Sequence, residues 1–141
     1  MKWAVLLVVV TFGVPLTFVI RACGPGGSGV LDRLELPDGS EYLLTQKWNG
    51  FVEPYTVSFY FKSSAGQWGW CYIDHEDTRW RHVELRHDSE NNSIKVFRDG
   101  GLRAELFLDR QVFALYGDDD RKKRELHAPQ DWRYPEYLPK K

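Results

Sequence analysis

Carboxylates and imidazoles crowd one stretch of this chain: Asp74, His75, Glu76 and Asp77, with His82 and His87 a few residues further on. Oxygen and imidazole groups of this kind hold metal ions or act as general acid and base. The spacing matches no known ligand pattern, since there is neither an H-E-x-x-H pair nor an EF-hand loop. His82 and His87 lie five apart, so a regular strand sends them to opposite faces. Glu84 and Asp77 form a carboxylate pair that no spacing singles out. The cluster reads first as a solvated connecting loop. Its rival reading is a small hydrolase or metal-dependent enzyme built on Asp74–Asp77 with His82 or His87. A nucleophile elbow is lacking, and mid-strand Cys71 lacks the electropositive, accessible setting of a reactive thiol. No cofactor or metal is implied, and the balance is against an enzyme.

Aromatic rings are the other chemistry in the sequence, with six Trp and 15 % aromatic residues. Rings exposed on a sheet stack on sugars, whereas rings between sheets are core. Trp48, Trp80 and Trp132 sit at strand ends or among polar neighbours and are the rings expected at the surface. Trp48 and Trp80, with His75, Glu76, Asp77 and His82, make up the candidate ligand-binding set. Trp68, Trp70 and Tyr72, with Phe59 and Phe61, are expected to be core.

The elements that must position these residues are short strands. Tyr55–Lys62 and Gln67–Asp74 alternate with period two around Ser63-Ser64-Ala65-Gly66, which reads as a hairpin. A four-residue loop pairs Phe61 with Trp68, Phe59 with Trp70 and Val57 with Tyr72, placing all six on one face and Tyr60 opposite Gly69. Leu31–Leu44 is a second hairpin, in which Pro37-Asp38-Gly39 suits a type I turn with glycine at the left-handed position. Leu34 then faces Tyr42. Arg79–Arg86 reads as a strand, and Ile94–Arg98 with Leu102–Leu108 as a third hairpin around Asp99-Gly100-Gly101. That loop pairs Val96 with Ala104 and Ile94 with Leu106, and Val112–Tyr116 returns beside them. The expected fold is all-β, an antiparallel meander of about seven to eight short strands in an open twisted sheet or small barrel. No helix outside the leader and no internal repeat is expected.

Around this domain, at residues 30–117, the chain changes character twice. Residues 118–141 form a charged, Pro-rich tail packed on the domain or trailing from it, and Arg121–Arg124 reads as a solvated turn. At the other end, Trp3–Ile20 is an uncharged run about 27 Å long as a helix, just short of the ~30 Å hydrocarbon core. Residues 1–23 therefore form a membrane-directed segment, and Gly-rich 24–29 is a flexible linker. Ile20-Arg21-Ala22-Cys23 resembles the lipobox of bacterial lipoproteins, although Arg21 stands where a small or apolar residue is usual. The resemblance implies a signal peptide, lipidation at Cys23 and a bacterial source. An uncleaved signal anchor and simple cleaved secretion stay open, as does Cys23–Cys71 pairing. Each places the domain beyond the inner membrane, periplasmic or at the cell surface.

Net charge is −1, from 19 basic and 20 acidic residues. A nucleic-acid binder shows a basic excess, so no nucleic-acid partner is expected. The chain thus reads as a membrane-tethered, non-catalytic binding module. Its partners are the membrane and an unknown envelope protein or glycan, carbohydrate binding being a further alternative.

Overall fold

A computed structural model of the chain describes residues 28–50, 52, 54–76 and 78–138. Within them the chain forms β1 (Gly29–Glu35), β2 (Glu41–Trp48), β3 (Tyr55–Lys62), β4 (Trp68–Glu76) and β5 (Val83–Asp88). It continues through β6 (Ser93–Arg98), β7 (Gly101–Phe107), β8 (Val112–Tyr116), β9 (Lys122–His127) and β10 (Asp131–Trp132). Two antiparallel five-stranded sheets result, ordered β1-β2-β3-β4-β10 and β5-β6-β7-β8-β9. The described residues contain no helix and no closed barrel. The all-β antiparallel expectation holds, but a single sheet or small barrel of seven to eight strands gives way to two sheets packed face to face. Residues 122–132 add a strand to each sheet, so Arg121–Arg124 runs into an edge strand and is not merely a solvated turn. Among the described residues no helix is long and apolar enough to cross a membrane. Residues 3–20, the linker 24–27 and Cys23 lie outside the described residues.

Turn chemistry sets the registers. The Gly39 N–H donates to the Leu36 carbonyl and the Leu36 N–H to the Ser40 carbonyl, both at 2.9 Å. Gly39 has φ +83°, and Leu34 faces Tyr42 as the sequence predicts. Ser63-Ser64-Ala65-Gly66-Gln67 makes the same turn, with Gly66 at φ +81° and the Ser63 N–H on the Gln67 carbonyl at 2.7 Å. Its loop is thus three residues long and not four, and the pairs on the central hairpin slip by one as far as Ser58, and by two from Val57 on. Phe61 faces Gly69, Phe59 faces Cys71, and Tyr60 faces Trp70. A one-residue slip exchanges the two faces of a strand, so Trp68, Trp70 and Tyr72 leave the inner core.

The inner core is filled instead by Tyr42, Leu44, Val57, Phe59, Cys71 and Ile73 from the first sheet. Leu85, Ile94, Val96, Ala104, Leu106 and Phe113 meet them from the second. Phe59 and Phe113 stack across the interface at 5.4 Å. On the outer face of the first sheet, Leu43, Tyr60 and Trp68 form a second buried cluster, with Trp70 and Leu138 packed against it. The returning tail is its lid: Arg133 lies over the Trp70 ring at 4.0 Å, Lys47 pairs with Glu136 at 3.2 Å, and Pro135 is buried. Both faces of β3 and β4 are therefore apolar, and a one-faced hydrophobic pattern cannot choose between them.

The two long sides of the sandwich are built differently. On one, the edge strands are stitched: the Asp32 carboxylate accepts the Leu85 N–H at 2.7 Å, joining β1 to β5. On the other, β10 covers β4 only over Gly69 and Trp70. Past that point the ends of β4 and β9 are separated by a cleft.

Candidate functional site

Four register shifts interrupt the ladders of the described residues. They leave Leu31, Ile73, Arg103 and Lys123 as the extra residues of β1, β4, β7 and β9. A bulge costs a ladder bond and re-aims a side chain, and such residues collect at functional sites. Three of the four, Ile73, Arg103 and Lys123, line one cavity of about 590 Å³ between β4 and β9. That volume falls within the range of small-ligand sites. The Arg103 bulge also explains the β6–β7 hairpin. Asp99 and Gly100 form a two-residue turn with φ of +51° and +82°, and the extra residue restores the Val96–Ala104 and Ile94–Leu106 pairs predicted from a longer loop.

Trp80 lies in the connection between the sheets and is 2 % exposed. Its backbone N–H donates to the buried Gln46 side chain at 2.7 Å, and the Arg98 guanidinium covers its ring at 5.2 Å. Arg98 is itself held by Glu76 at 3.1 Å. Trp80, Arg98 and Glu76 all line the cavity. Two donors there are buried without a hydrogen-bond partner among the described residues, the Trp80 indole Nε1 and the Arg103 Nε. A buried donor without an acceptor costs about 1–3 kcal/mol.

Arg103 also bonds the Asp118 carboxylate through Nη1, and this contact holds Asp118 below the usual carboxylate range. Tyr116, at the rim, donates its hydroxyl to Glu105 at 2.9 Å. Burial, then that hydrogen bond, pushes its phenol up to about 12. The cleft therefore combines a cationic β9 wall, an acidic β4 lip and two unsatisfied N–H groups.

The residues singled out from sequence are only partly brought together. Trp80 and Glu76 meet at the cleft, but Trp80 is a buried wall of the core and not the surface ring expected. Arg79 and Arg81 flank it in sequence, but its ring belongs to the buried cluster that holds Leu85 and Ile73. His75 points to the outer face of the first sheet, where its Nδ1 lies 3.0 Å from the Thr56 hydroxyl. Trp48 is half-buried at the end of β2, with its backbone N–H on the Ser28 hydroxyl at 2.8 Å. His82 and His87 are exposed, and His82 sits in a turn at φ +48°. Asp77 and Cys23 lie outside the described residues. Among the described residues no three His, Cys, Asp or Glu side chains gather to hold a metal ion. Cys71 is free and fully buried, and burial pushes its thiol up to about 12. Arg98, Arg103, Lys123 and Arg124 were not legible as site residues, because only the fold brings them together. No protein-family model, no curated protein and no solved structure matches the chain.

Proposed function

We propose that the chain is a non-catalytic binding module, tethered to a membrane with its domain outside the cytoplasm, and that the β4–β9 cleft takes a ligand bearing carboxylate or carbonyl oxygens. The carrying observation is the convergence of three bulges, at Ile73, Arg103 and Lys123, on one cavity. The basic side chains of Lys123 and Arg124 on the β9 wall support a ligand bearing oxygen acceptors. The tether rests on the uncharged run 3–20 and the lipobox-like Cys23.

Fluorine NMR of the full chain labelled with 5-fluorotryptophan tests the cleft, the Trp80 signal being assigned with Trp80→Phe. Millimolar glutarate is expected to shift the Trp80 signal saturably, and its neutral diamide to shift it far less. Equal responses, or a response at Trp132 alone, refute the reading. For the tether, a diacylglyceryl mass increase on a chain beginning at Cys23, lost in Cys23→Ser, is the expected result. Unmodified full-length protein in the membrane fraction of both would make it a signal-anchored protein instead.

A further inference from the structure

Among the described residues, the strand that walls the cleft is an open edge. β9 is last in its sheet, and its side chains are exposed apart from Leu126. The Ala128 N–H donates to the Gln111 carbonyl at 2.8 Å, which sets the phase of the β8–β9 ladder. Arg124 and Leu126 bond to β8, and the N–H and C=O groups of Glu125 and His127 point away from it. Across the cleft, the Gln130 side chain takes the Tyr72 N–H at 3.0 Å, and no described strand lies along β4 beyond it.

We propose that β9 accepts an extended acidic segment of a partner protein, which adds to the second sheet as a further strand and lays its inward side chains in the cleft. The proposal rests on the reading of the cleft as a binding site and names its occupant. Charge selects the acid. In sequence, Asp118-Asp119-Asp120 cancels Arg121-Lys122-Lys123-Arg124, and the fold keeps part of that balance and commits most of the acids to other partners. Asp118 turns to Arg103, Asp119 pairs with Arg121, and Asp120 accepts the Leu102 N–H. Lys122 pairs with Glu125. Lys123 and Arg124 line the cleft; Lys123 is within electrostatic reach of Asp118, and Arg124 is left without an ion pair among the described residues.

In an antiparallel strand, the sense of every pairing in this sheet, inward positions fall opposite Leu126 and then Arg124, so the partner reads apolar-x-acidic from its amino end. Main-chain bonds to the edge supply affinity and the alternate side chains supply specificity. A second copy of this chain is a poor occupant, because Lys123 and Arg124 would meet their own kind. Asp74 on the opposite lip repels an acid placed there, which assigns the carboxylate to the β9 wall.

The test uses the fluorotryptophan-labelled full chain and a hexapeptide with glutamate and valine at its inward positions and threonine between them. Two further peptides carry N-methyl groups on alternate residues, one in each phase. The parent is expected to shift the Trp80 signal. N-methylation in the phase facing β9 is expected to weaken binding about tenfold or more, and the other phase to leave it unchanged. Arg124→Glu, an exposed change whose folding is checked by thermal melt, is expected to weaken binding about tenfold. Equal binding in both phases overturns strand addition and leaves the cleft reading standing. So does a Trp80 response to glutarate but not to the parent peptide. Silence towards both overturns the two together.

Discussion

Gly69 is where the central hairpin, the inner core and the returning tail press on one another. A Cβ added there would lie 2.7 and 2.9 Å from two carbons of the Phe61 ring and 2.9 Å from the Pro129 Cβ. Ordinary carbon contacts begin near ~3.5 Å, so both neighbours must give way by more than half an ångström. Both are half-buried and already in contact with other groups. Phe61 packs against Phe59 and Trp132, with centroids 6.5 Å away in each case, and Pro129 lies between β9 and β10. Overpacking of this kind costs about 1–3 kcal/mol, or about 4–12 °C in Tm for a domain of this size. Gly69→Ala is therefore expected to lower the melting temperature by that amount, read by far-ultraviolet circular dichroism. Acrylamide quenching of Trp132 should rise as β10 lifts from β4. In a Phe61→Leu background the same change should cost less, since the smaller side chain vacates the site, and a double-mutant cycle isolates that coupling. Gly69→Ala melting with the wild type, or strict additivity with Phe61→Leu, refutes the reasoning.

Removing the stitch between the sheets with Asp32→Ala should cost about 1.5–3 kcal/mol, because the buried Leu85 N–H loses a charged acceptor. Asp32→Asn keeps an oxygen there and should cost less; identical urea midpoints for all three proteins would count against the stitch. Cys71, raised from 9.0 to about 12, should hold about a thousandfold less thiolate at pH 8 than an unperturbed thiol. Site-resolved mass spectrometry after iodoacetamide should find it modified only in denaturant, and rapid labelling of the native protein would contradict its burial. Tyr116 is raised, so the folded state keeps its proton where the unfolded state has lost it. Its contribution is full below pH 10 and is lost as pH rises from 10 through about 12. Tyr116→Phe should flatten the alkaline fall in stability, leaving the part due to Tyr42 and Tyr60, whose phenols burial also raises. An unchanged alkaline slope would refute this.

What sequence could and could not reveal follows from how each element is held. Pro37-Asp38-Gly39 states its turn type outright, and the Leu34–Tyr42 register came with it. Ser63-Ser64-Ala65-Gly66 makes the same turn with only Gly66 as its marker. The deciding apolar pattern was ambiguous there, because the tail buries the outer face of β4 as the second sheet buries the inner one. β9 escaped notice because an edge strand is held by its backbone ladder, and Lys-Lys-Arg-Glu offers no apolar alternation. The cleft was legible only through Asp74, Glu76 and Trp80. Its bulges carry no glycine, and Arg98, Arg103 and Arg124 become neighbours only once two sheets are stacked.

The path of the chain between the sheets bears on whether the molecule needs to be one chain at all. It leaves the first sheet after Glu76, completes the second, and crosses back only at Ala128 to lay β10 against β4. A break among the exposed residues between Trp80 and Val83 would divide it into two halves, each a run of successive hairpins with a naked apolar face, the earlier half baring its outer cluster as well. The later half would still carry the first sheet's fifth strand as a clasp. The two pieces would then find each other through matching faces and through that clasp, which is the architecture of a split reporter.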